Sequence, residues 1–199
     1  MIGAIKYYSI NKMIRWLQLL LWHRDKHVLD IIRKKENVLI HKTFSMGDSS
    51  SFNIAGKPKS LVVEENVSCR KYCNYLVFDN AELIIHANVF FNNYCSVNCL
   101  ERIEIGANTL LGEGVKLYDH NHVYGNANGV YRVERNEYTK APISIGKNCW
   151  IGSNVTILKG VIIGDNVVIG ANCLIYKSIP SNSVVRLKQD IETSANLLK

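Results

Sequence analysis

The chain has 199 residues, of which 47% are hydrophobic, and it carries a formal charge of +7 at pH 7. Residues 1–42 hold nine Lys/Arg against three Asp/Glu, whereas residues 43–199 hold fifteen against fourteen. The positive charge therefore belongs to the N-terminal segment, and the near-neutral remainder, which has no nucleic-acid-binding motif, argues against a nucleic-acid partner. The composition predicts one ordered domain with an appendage.

The appendage is residues 1–42, where apolar residues recur at helical spacing. Ser9 is the predicted N-cap, and the helix is predicted to run to about Lys35. The apolar run between Trp16 and Trp22 is far shorter than the ~20 residues needed to span a bilayer. We favour a helix packed against the rest of the chain or a neighbouring subunit, since apolar stripes usually face a core. The alternative is a basic amphipathic helix resting on an anionic membrane.

Residues 43–185 are predicted to form stacked coils, with 186–199 as a C-terminal tail. The repeat is clearest after residue 143, where an isoleucine recurs every six residues: Ile145, Ile151, Ile157, Ile163, Ile169 and Ile175. Each of the last five follows a cysteine or valine two places earlier, which is the alternation of a strand with two inward side chains. Asparagines stand three places after four of these isoleucines, at positions 148, 154, 166 and 172, where Asn tolerates the left-handed backbone of a corner.

Three such sides make a coil of 18 residues, which predicts that Ile145 stacks on Ile163. Weaker copies precede it at 103–117, 83–97 and 61–75, and the two earlier ones lack the regular glycines. Most of the six cysteines fall on inward positions, so they are predicted to be buried, reduced thiols of a cytoplasmic protein.

A long insertion interrupts the coils after Leu117. The next core residue of the same strand pattern is Ile145, 28 residues later, so about twenty extra residues within 118–142 must leave the coil. This loop contains His120 and His122 together with four tyrosines, at positions 118, 124, 131 and 138. Such a composition suits the binding of a polar, sugar-like acceptor, and Tyr124 is a candidate contact. The alternative is a solvated surface loop.

Together these residues resemble the left-handed β-helix acyltransferases, in particular the galactoside, maltose and polysaccharide (sialic acid type) O-acetyltransferases, over about residues 80–185. The resemblance implies an all-β, left-handed parallel β-helix; the periodicity alone does not give the hand. It also implies a homotrimer with active sites between subunits. The implied reaction is transfer of an acetyl group from acetyl-CoA to a hydroxyl of a sugar or polysaccharide.

Acyl transfer to an alcohol needs a base, and a histidine can take the hydroxyl proton and return it to the leaving thiolate. In the resembled enzymes the base lies five residues past the last core aliphatic residue of the coil. Counting five from Leu117 reaches His122, the predicted catalytic base. His120 is the alternative, or a neighbour that orients the acceptor, and Asp119 is interpreted as a turn residue rather than an orienting carboxylate.

The resemblance also implies binding residues. Asn92 matches an acceptor contact, and Trp150 matches a tryptophan that lines the acceptor and thioester channel, with burial between subunits as its alternative. Ser153, Ala171 and Lys177 match coenzyme contacts.

The match stops beyond Lys177. The usual Gly-x-Pro-Ala-Lys segment is replaced by SVVRLKQD, which leaves Arg186 and Lys188 as the nearest substitutes for adenine and phosphate contacts.

Other functions stay open at this stage. Acetylation of an amino sugar, serine or a drug would use the same histidine and donor. A non-catalytic β-helix scaffold has no need of the histidine loop. A metal protein similar to γ-carbonic anhydrase would need three histidines for zinc, and no third histidine follows His86 in the loop or the flanking coils. We therefore predict no metal, and peripheral membrane contact only through the N-terminal helix.

Overall fold

The computed structural model describes residues 12–13, 27–127 and 130–188. It is a parallel β-solenoid whose coils each contribute one short strand to each of three sheets. Sheet A contains β1 (Val38–Ile40), β4 (Ser60–Val63), β7 (Glu82–Ile85), β10 (Arg102–Ile105), β15 (Ile143–Ile145) and β18 (Ile162–Ile163). Sheet B contains β2 (Ser45–Met46), β5 (Ser68–Cys69), β8 (Phe90–Phe91), β11 (Leu110–Leu111), β16 (Trp150–Ile151), β19 (Val168–Ile169) and β21 (Val184–Val185). Sheet C contains β3 (Ser51–Ile54), β6 (Asn74–Val77), β9 (Ser96–Cys99), β12 (Lys116–Tyr118), β17 (Thr156–Leu158) and β20 (Leu174–Ile175).

The predicted stacking of the isoleucines is confirmed. Ile145 pairs with Ile163, and the two ladders beside it hold Ile151 with Ile169 and Ile157 with Ile175. The weaker upstream copies are confirmed as well, since Leu61 pairs with Leu83, and Leu83 with Ile103. Inward residues of all three sheets are almost completely buried, and the six cysteines are among them as free thiols.

The upstream coils are longer than 18 residues, and the extra length collects at one corner. The spacing from Leu61 to Leu83 is 22 residues and from Leu83 to Ile103 it is 20. Within these coils the steps from sheet A to B and from B to C keep six residues. The surplus lies in the third corner, between sheets C and A, and this is also the corner from which the long insertion leaves. Insertions are tolerated there because the inward register of the other two corners is preserved.

The first corner, between sheets A and B, is held by a ladder of asparagines. Each has the predicted left-handed backbone, with φ between 56° and 60° at the six positions Asn66, Asn88, Asn108, Asn148, Asn166 and Asn182. Each side-chain Nδ2 donates to the Oδ1 of the next asparagine along the ladder, at 2.9 to 3.2 Å. The coils approach so closely beside this ladder that a Cβ on Gly106 would lie 2.5 Å from the Gly146 carbonyl carbon.

The solenoid starts earlier than the predicted boundary at residue 43, because β1 already pairs with β4 at Val38–Leu61. Residues 27–33 are helical, and Leu29 and Ile32 of this helix belong to the buried core. This part of the N-terminal segment therefore packs on the coils, while the predicted cap Ser9 and the run from Trp16 to Trp22 lie outside the described residues. In the part of the chain that the structure describes, no helix is long and apolar enough to cross a bilayer.

The insertion at 118–142 is not an irregular loop but a two-stranded antiparallel ribbon of β13 (His120–Ala127) and β14 (Val130–Lys140). The sequence signal for it is the Asn-Gly dipeptide at positions 128 and 129, which is typical of hairpin turns.

A charged cluster on the outer face of sheet A ties three coils together. The imidazole of His86 faces two carboxylates, with Nδ1 3.0 Å from Glu64 and Nε2 2.9 Å from Glu104. Both ring nitrogens can donate only in the imidazolium. Burial opposes that charge, but the hydrogen bonds to Glu104 and Glu64 outweigh it and raise the pKa of His86.

We expect this cluster to make stability pH-dependent. Because the folded-state pKa of His86 is raised, its contribution is fully present below the unfolded pKa of about 6.5. The contribution is lost as the pH rises through the folded-state value. The free energies of unfolding of wild type and His86→Asn, measured by urea denaturation, should therefore differ more at pH 5.5 than at pH 8.5. An equal difference at both pH values would contradict a positively charged His86 in this cluster.

Candidate active site

The candidate site begins where β12 ends, at the third corner. The chain passes from Tyr118 through Asp119 into the ribbon at His120. Because side chains alternate along a strand, His120 and His122 lie on the same face of the ribbon. Their partners on β14 are Lys140 and Tyr138 respectively.

Asp119 lies in a bend between β12 and β13, as its interpretation as a turn residue predicts, and its carboxylate also contacts His120. The Asp119 side chain is completely buried. The carboxylate accepts hydrogen bonds from the backbone N–H groups of Leu100, at 2.9 and 3.0 Å, and Glu101, at 2.7 Å. Its Oδ1 also lies 3.2 Å from Nδ1 of His120. The carboxylate thus fixes the ribbon to the preceding coil and positions one imidazole.

This contact decides which nitrogen of His120 is basic. An ionised carboxylate only accepts hydrogen bonds, so in a neutral imidazole this contact favours the tautomer with the proton on Nδ1 and the lone pair on Nε2. The side chain of His120 is 17% exposed, which leaves a limited edge of the ring open to a reactant.

His122 is oriented by the backbone instead. Its Nδ1 lies 3.1 Å from the carbonyl oxygen of Glu134, and the side chain is exposed. A carbonyl accepts but cannot donate, so here too Nδ1 is protonated and Nε2 is free to act as a base.

A β-bulge supplies that carbonyl. The register between the ribbon strands shifts after His122, which pairs with Tyr138, whereas Tyr124 pairs with Val133. Residues 134–137 of β14 therefore have no partner on β13, and the carbonyl groups of Glu134 and Arg135 accept from His122 and from the Tyr138 hydroxyl. Bulges commonly redirect side chains beside functional sites.

Tyr138 joins the two histidines. Its ring centroid lies 5.4 Å from that of His120 and 4.7 Å from that of His122. Sequence reasoning placed Tyr138 only among four loop tyrosines and singled out Tyr124 instead. Tyr124 lies further along the ribbon, is 65% exposed and has Tyr131 as its aromatic neighbour.

The other predicted residues lie on different edges of the solenoid. Trp150 points outward from sheet B and is 58% exposed, next to Leu110 in the ladder. Asn92 is half-buried at the second corner, between sheets B and C, where its Oδ1 accepts from the Asn93 N–H at 2.9 Å. Within one chain the structure does not bring Trp150 or Asn92 to the histidine ribbon.

Ser153 and Ala171 also occupy the second corner, in successive coils. Among the described residues, neither backbone N–H has an acceptor, whereas the flanking amides of Gly152, Asn154 and Asn172 all donate within the ladders. Two amide donors without an acceptor in the described part of the chain could bind the amide carbonyls of a pantetheine arm. Lys177 is exposed, with its Nζ 5.7 Å from the Tyr176 ring centroid, and Arg186 and Lys188 are exposed as well. Across the described residues, no group of three or more His, Cys, Asp or Glu is arranged to hold a metal ion.

Comparison with known proteins gives one family match and several relatives. Residues 142–177 match the family described as the hexapeptide repeat of succinyl-transferase. WbbJ of Escherichia coli, named as a lipopolysaccharide biosynthesis O-acetyl transferase, is 34% identical over 113 residues, which cover 54% of this chain and 58% of WbbJ. YJL218W of Saccharomyces cerevisiae, named as an acetyltransferase, is 30% identical over 164 residues, which cover 77% of this chain and 76% of the yeast protein. A variant of the N-acyltransferase AntD from Bacillus cereus, solved with dTDP and coenzyme A, shares the fold with a TM-score of 0.50 at 20% identity, covering 80% of this chain and 82% of AntD.

Proposed function

Because the chain belongs to the hexapeptide-repeat acetyltransferases, we propose that it transfers an acetyl group from acetyl-CoA to a hydroxyl of a sugar or polysaccharide. The observation that carries the proposal is the pair of imidazoles at the third corner, each with Nδ1 committed to an acceptor and Nε2 left basic. The name of WbbJ supports a glycan acceptor.

His122 is the proposed base. Its exposed ring can approach an acceptor hydroxyl, and Nε2 takes the hydroxyl proton as the oxygen attacks the thioester carbonyl. The C–S bond then breaks, and the imidazolium returns its proton to the departing thiolate, so no covalent enzyme intermediate is needed. His120 with its buried partner Asp119 is the second candidate, favoured by the carboxylate contact.

Acetyl-CoA is the second substrate. The free amides of Ser153 and Ala171 fit its pantetheine arm, and Lys177 fits a phosphate as a point charge. Trp150 and Asn92 are the proposed channel and acceptor contacts.

The proposal is tested by coenzyme A release in the presence of acetyl-CoA and a panel of monosaccharides, oligosaccharides, an amino sugar and serine. We expect turnover with a sugar and an alkali-labile acetyl product, which identifies an ester. An alkali-stable product would instead favour amide formation on an amino group. The rate should be unchanged by a chelator, and its loss on metal removal would favour a metalloenzyme.

The dispersed site residues lead us to propose a homotrimer with each active site between two subunits. From Phe90 to Val184 the outer face of sheet B is an apolar column, in which Leu110 is 48%, Trp150 58% and Val184 59% exposed. We expect Leu110→Glu to shift the protein from trimer to monomer in light scattering and to lower activity by at least about tenfold. Leu39→Glu, at a 66% exposed position on sheet A, is the matched control. A fully active monomer would contradict this assembly.

We also propose that the protein is located in the cytoplasm, either free or in peripheral contact with a membrane through its N-terminal segment.

A further inference from the structure

Two tyrosines form an exposed aromatic stack at the second corner. The rings of Tyr72 and Tyr94, in successive coils, have centroids 5.0 Å apart and planes inclined by 3°. Their side chains are 51% and 54% exposed. A pair of parallel, solvent-facing aromatic rings is uncommon on a surface that otherwise carries small polar corner residues.

The backbone at this corner does not favour tyrosine. Tyr72 and Tyr94 have φ of 60° and 61°, in the left-handed region that bulky residues rarely adopt. Higher in the same corner column the residues are Gly114, Asn154 and Asn172, which adopt this backbone readily. The two tyrosines are thus held where the local conformation prefers Asn or Gly, and strain of this kind is often associated with a functional site.

The stack ends beneath an unused hydrogen-bond acceptor. Gly114, the next residue of the column, has no side chain to cover the remaining face of the Tyr94 ring. Above it, Nδ2 of Asn154 donates to Asn172 at 3.3 Å, while Oδ1 of Asn154 has no donor among the described residues. At the first corner the equivalent ladder is continuous. The amide oxygen of Asn154 therefore lies directly beside Gly114, 2.5 Å from where a Cβ of that residue would be, in the coil above Tyr94.

The outer face of sheet C connects this corner with the histidine ribbon. Its outward residues in the coils of Tyr94 and Gly114 are polar, namely Ser96, Asn98, Lys116 and Tyr118, whereas Leu76, Leu158 and Leu174 lie outward in the coils below and above. Six residues separate Gly114 from His120, a distance of at most about 20 Å at ~3.3 Å per residue.

We propose that the Tyr72–Tyr94 stack and the Asn154 amide oxygen form a saccharide subsite for a glycan chain that extends along sheet C toward His120 and His122. A pyranose ring fits this chemistry because its C–H face packs on an aromatic face while its hydroxyls donate to an amide oxygen at the rim. The acceptor class would then be an oligosaccharide or polysaccharide, which rests on the proposed function.

Binding is tested without acetyl-CoA, by saturation-transfer NMR and calorimetry with maltotetraose, chitotetraose and galactotetraose. We expect wild type to bind at least one of them, and the Tyr72→Asn/Tyr94→Asn double variant to bind it about tenfold more weakly, as for one lost aromatic contact. Asparagine suits the backbone here, so the variant should fold. The matched Tyr72→Phe/Tyr94→Phe variant keeps both rings and should bind like wild type.

Gly114→Asn is an independent variant. Asparagine tolerates the φ of 69° at this position, but its Cβ would lie 2.5 Å from Oδ1 of Asn154, so the Asn154 side chain must shift while the new side chain covers the Tyr94 face. It should lower tetrasaccharide binding, and its melting temperature shows that the fold is kept.

The outcomes separate the two proposals. Tetrasaccharide binding that is lost in the asparagine variants, without any acetyl transfer, would support the subsite and refute the proposed function. Acetyl transfer in which the asparagine variants raise KM for the tetrasaccharide but not for a monosaccharide supports both. The subsite is wrong if wild type binds none of the three probes at millimolar concentration, or if the asparagine variants bind them equally well.

Discussion

Replacing His122 by alanine is expected to lower kcat by about 10²–10⁴-fold, the usual contribution of a general base. The dissociation constant for acetyl-CoA should change little, because the proposed coenzyme contacts Ser153, Ala171 and Lys177 lie outside the ribbon. Steady-state kinetics with the best acceptor, together with calorimetric titration of acetyl-CoA, measures the two effects separately.

The control for this experiment is His122→Asn. The asparagine amide can still donate to the Glu134 carbonyl in place of Nδ1, so the bulge should keep its geometry while the basic Nε2 is lost. His120→Ala should cost far less. If His120→Ala abolished turnover and His122→Ala retained it, the five-residue count from Leu117 would have chosen the wrong imidazole, and the pair with Asp119 would hold the base.

Asp119→Ala is expected to lower the free energy of unfolding by about 3 kcal/mol. The buried carboxylate accepts from the N–H groups of Leu100 and Glu101, and its removal leaves the buried donor of Leu100 and the part-buried donor of Glu101 without their partner. Urea denaturation monitored by circular dichroism measures the change.

Asp79→Ala is the matched control, because Asp79 also accepts a backbone N–H, from Lys57 at 2.9 Å, but is exposed. Water can replace that lost bond, so the effect should be about 1 kcal/mol or less. Equal losses in the free energy of unfolding for the two variants would mean that the stabilisation by Asp119 does not depend on the burial of its carboxylate. A stable Asp119→Asn variant with reduced kcat would identify a positioning role toward His120.

The geometry of the ribbon explains why both histidines remain candidates. Each imidazole is oriented through Nδ1, one by a buried carboxylate and the other by a carbonyl of the β14 bulge. Tyr138 packs against both rings and makes them one cluster. A Tyr138→Phe variant would keep the ring that packs on both histidines and remove only the hydroxyl bond to the Arg135 carbonyl, which makes it a useful probe of ribbon order in the same assays.

The sequence by itself determined the coil. Each hexapeptide specifies its strand by two inward apolar residues and its corner by Asn or Gly, so the ladder from Ile145 to Ile163 and the left-handed backbone at Asn148 follow from local preferences repeated at a constant spacing. The same register located the insertion after Leu117 and, through resemblance, His122.

The tertiary structure alone decided the details of the site, because they depend on partners far apart in sequence. The carboxylate of Asp119 is buried against backbone groups 18 and 19 residues earlier, and Nδ1 of His122 reaches a carbonyl 12 residues later only because β14 bulges. Tyr72 and Tyr94 stack because successive coils place their corners one above the other, although the irregular length of the early coils hides that alignment in the sequence. Periodicity fixes which residues face inward, but contacts made by outward side chains follow from the stacking of coils and from insertions at the third corner.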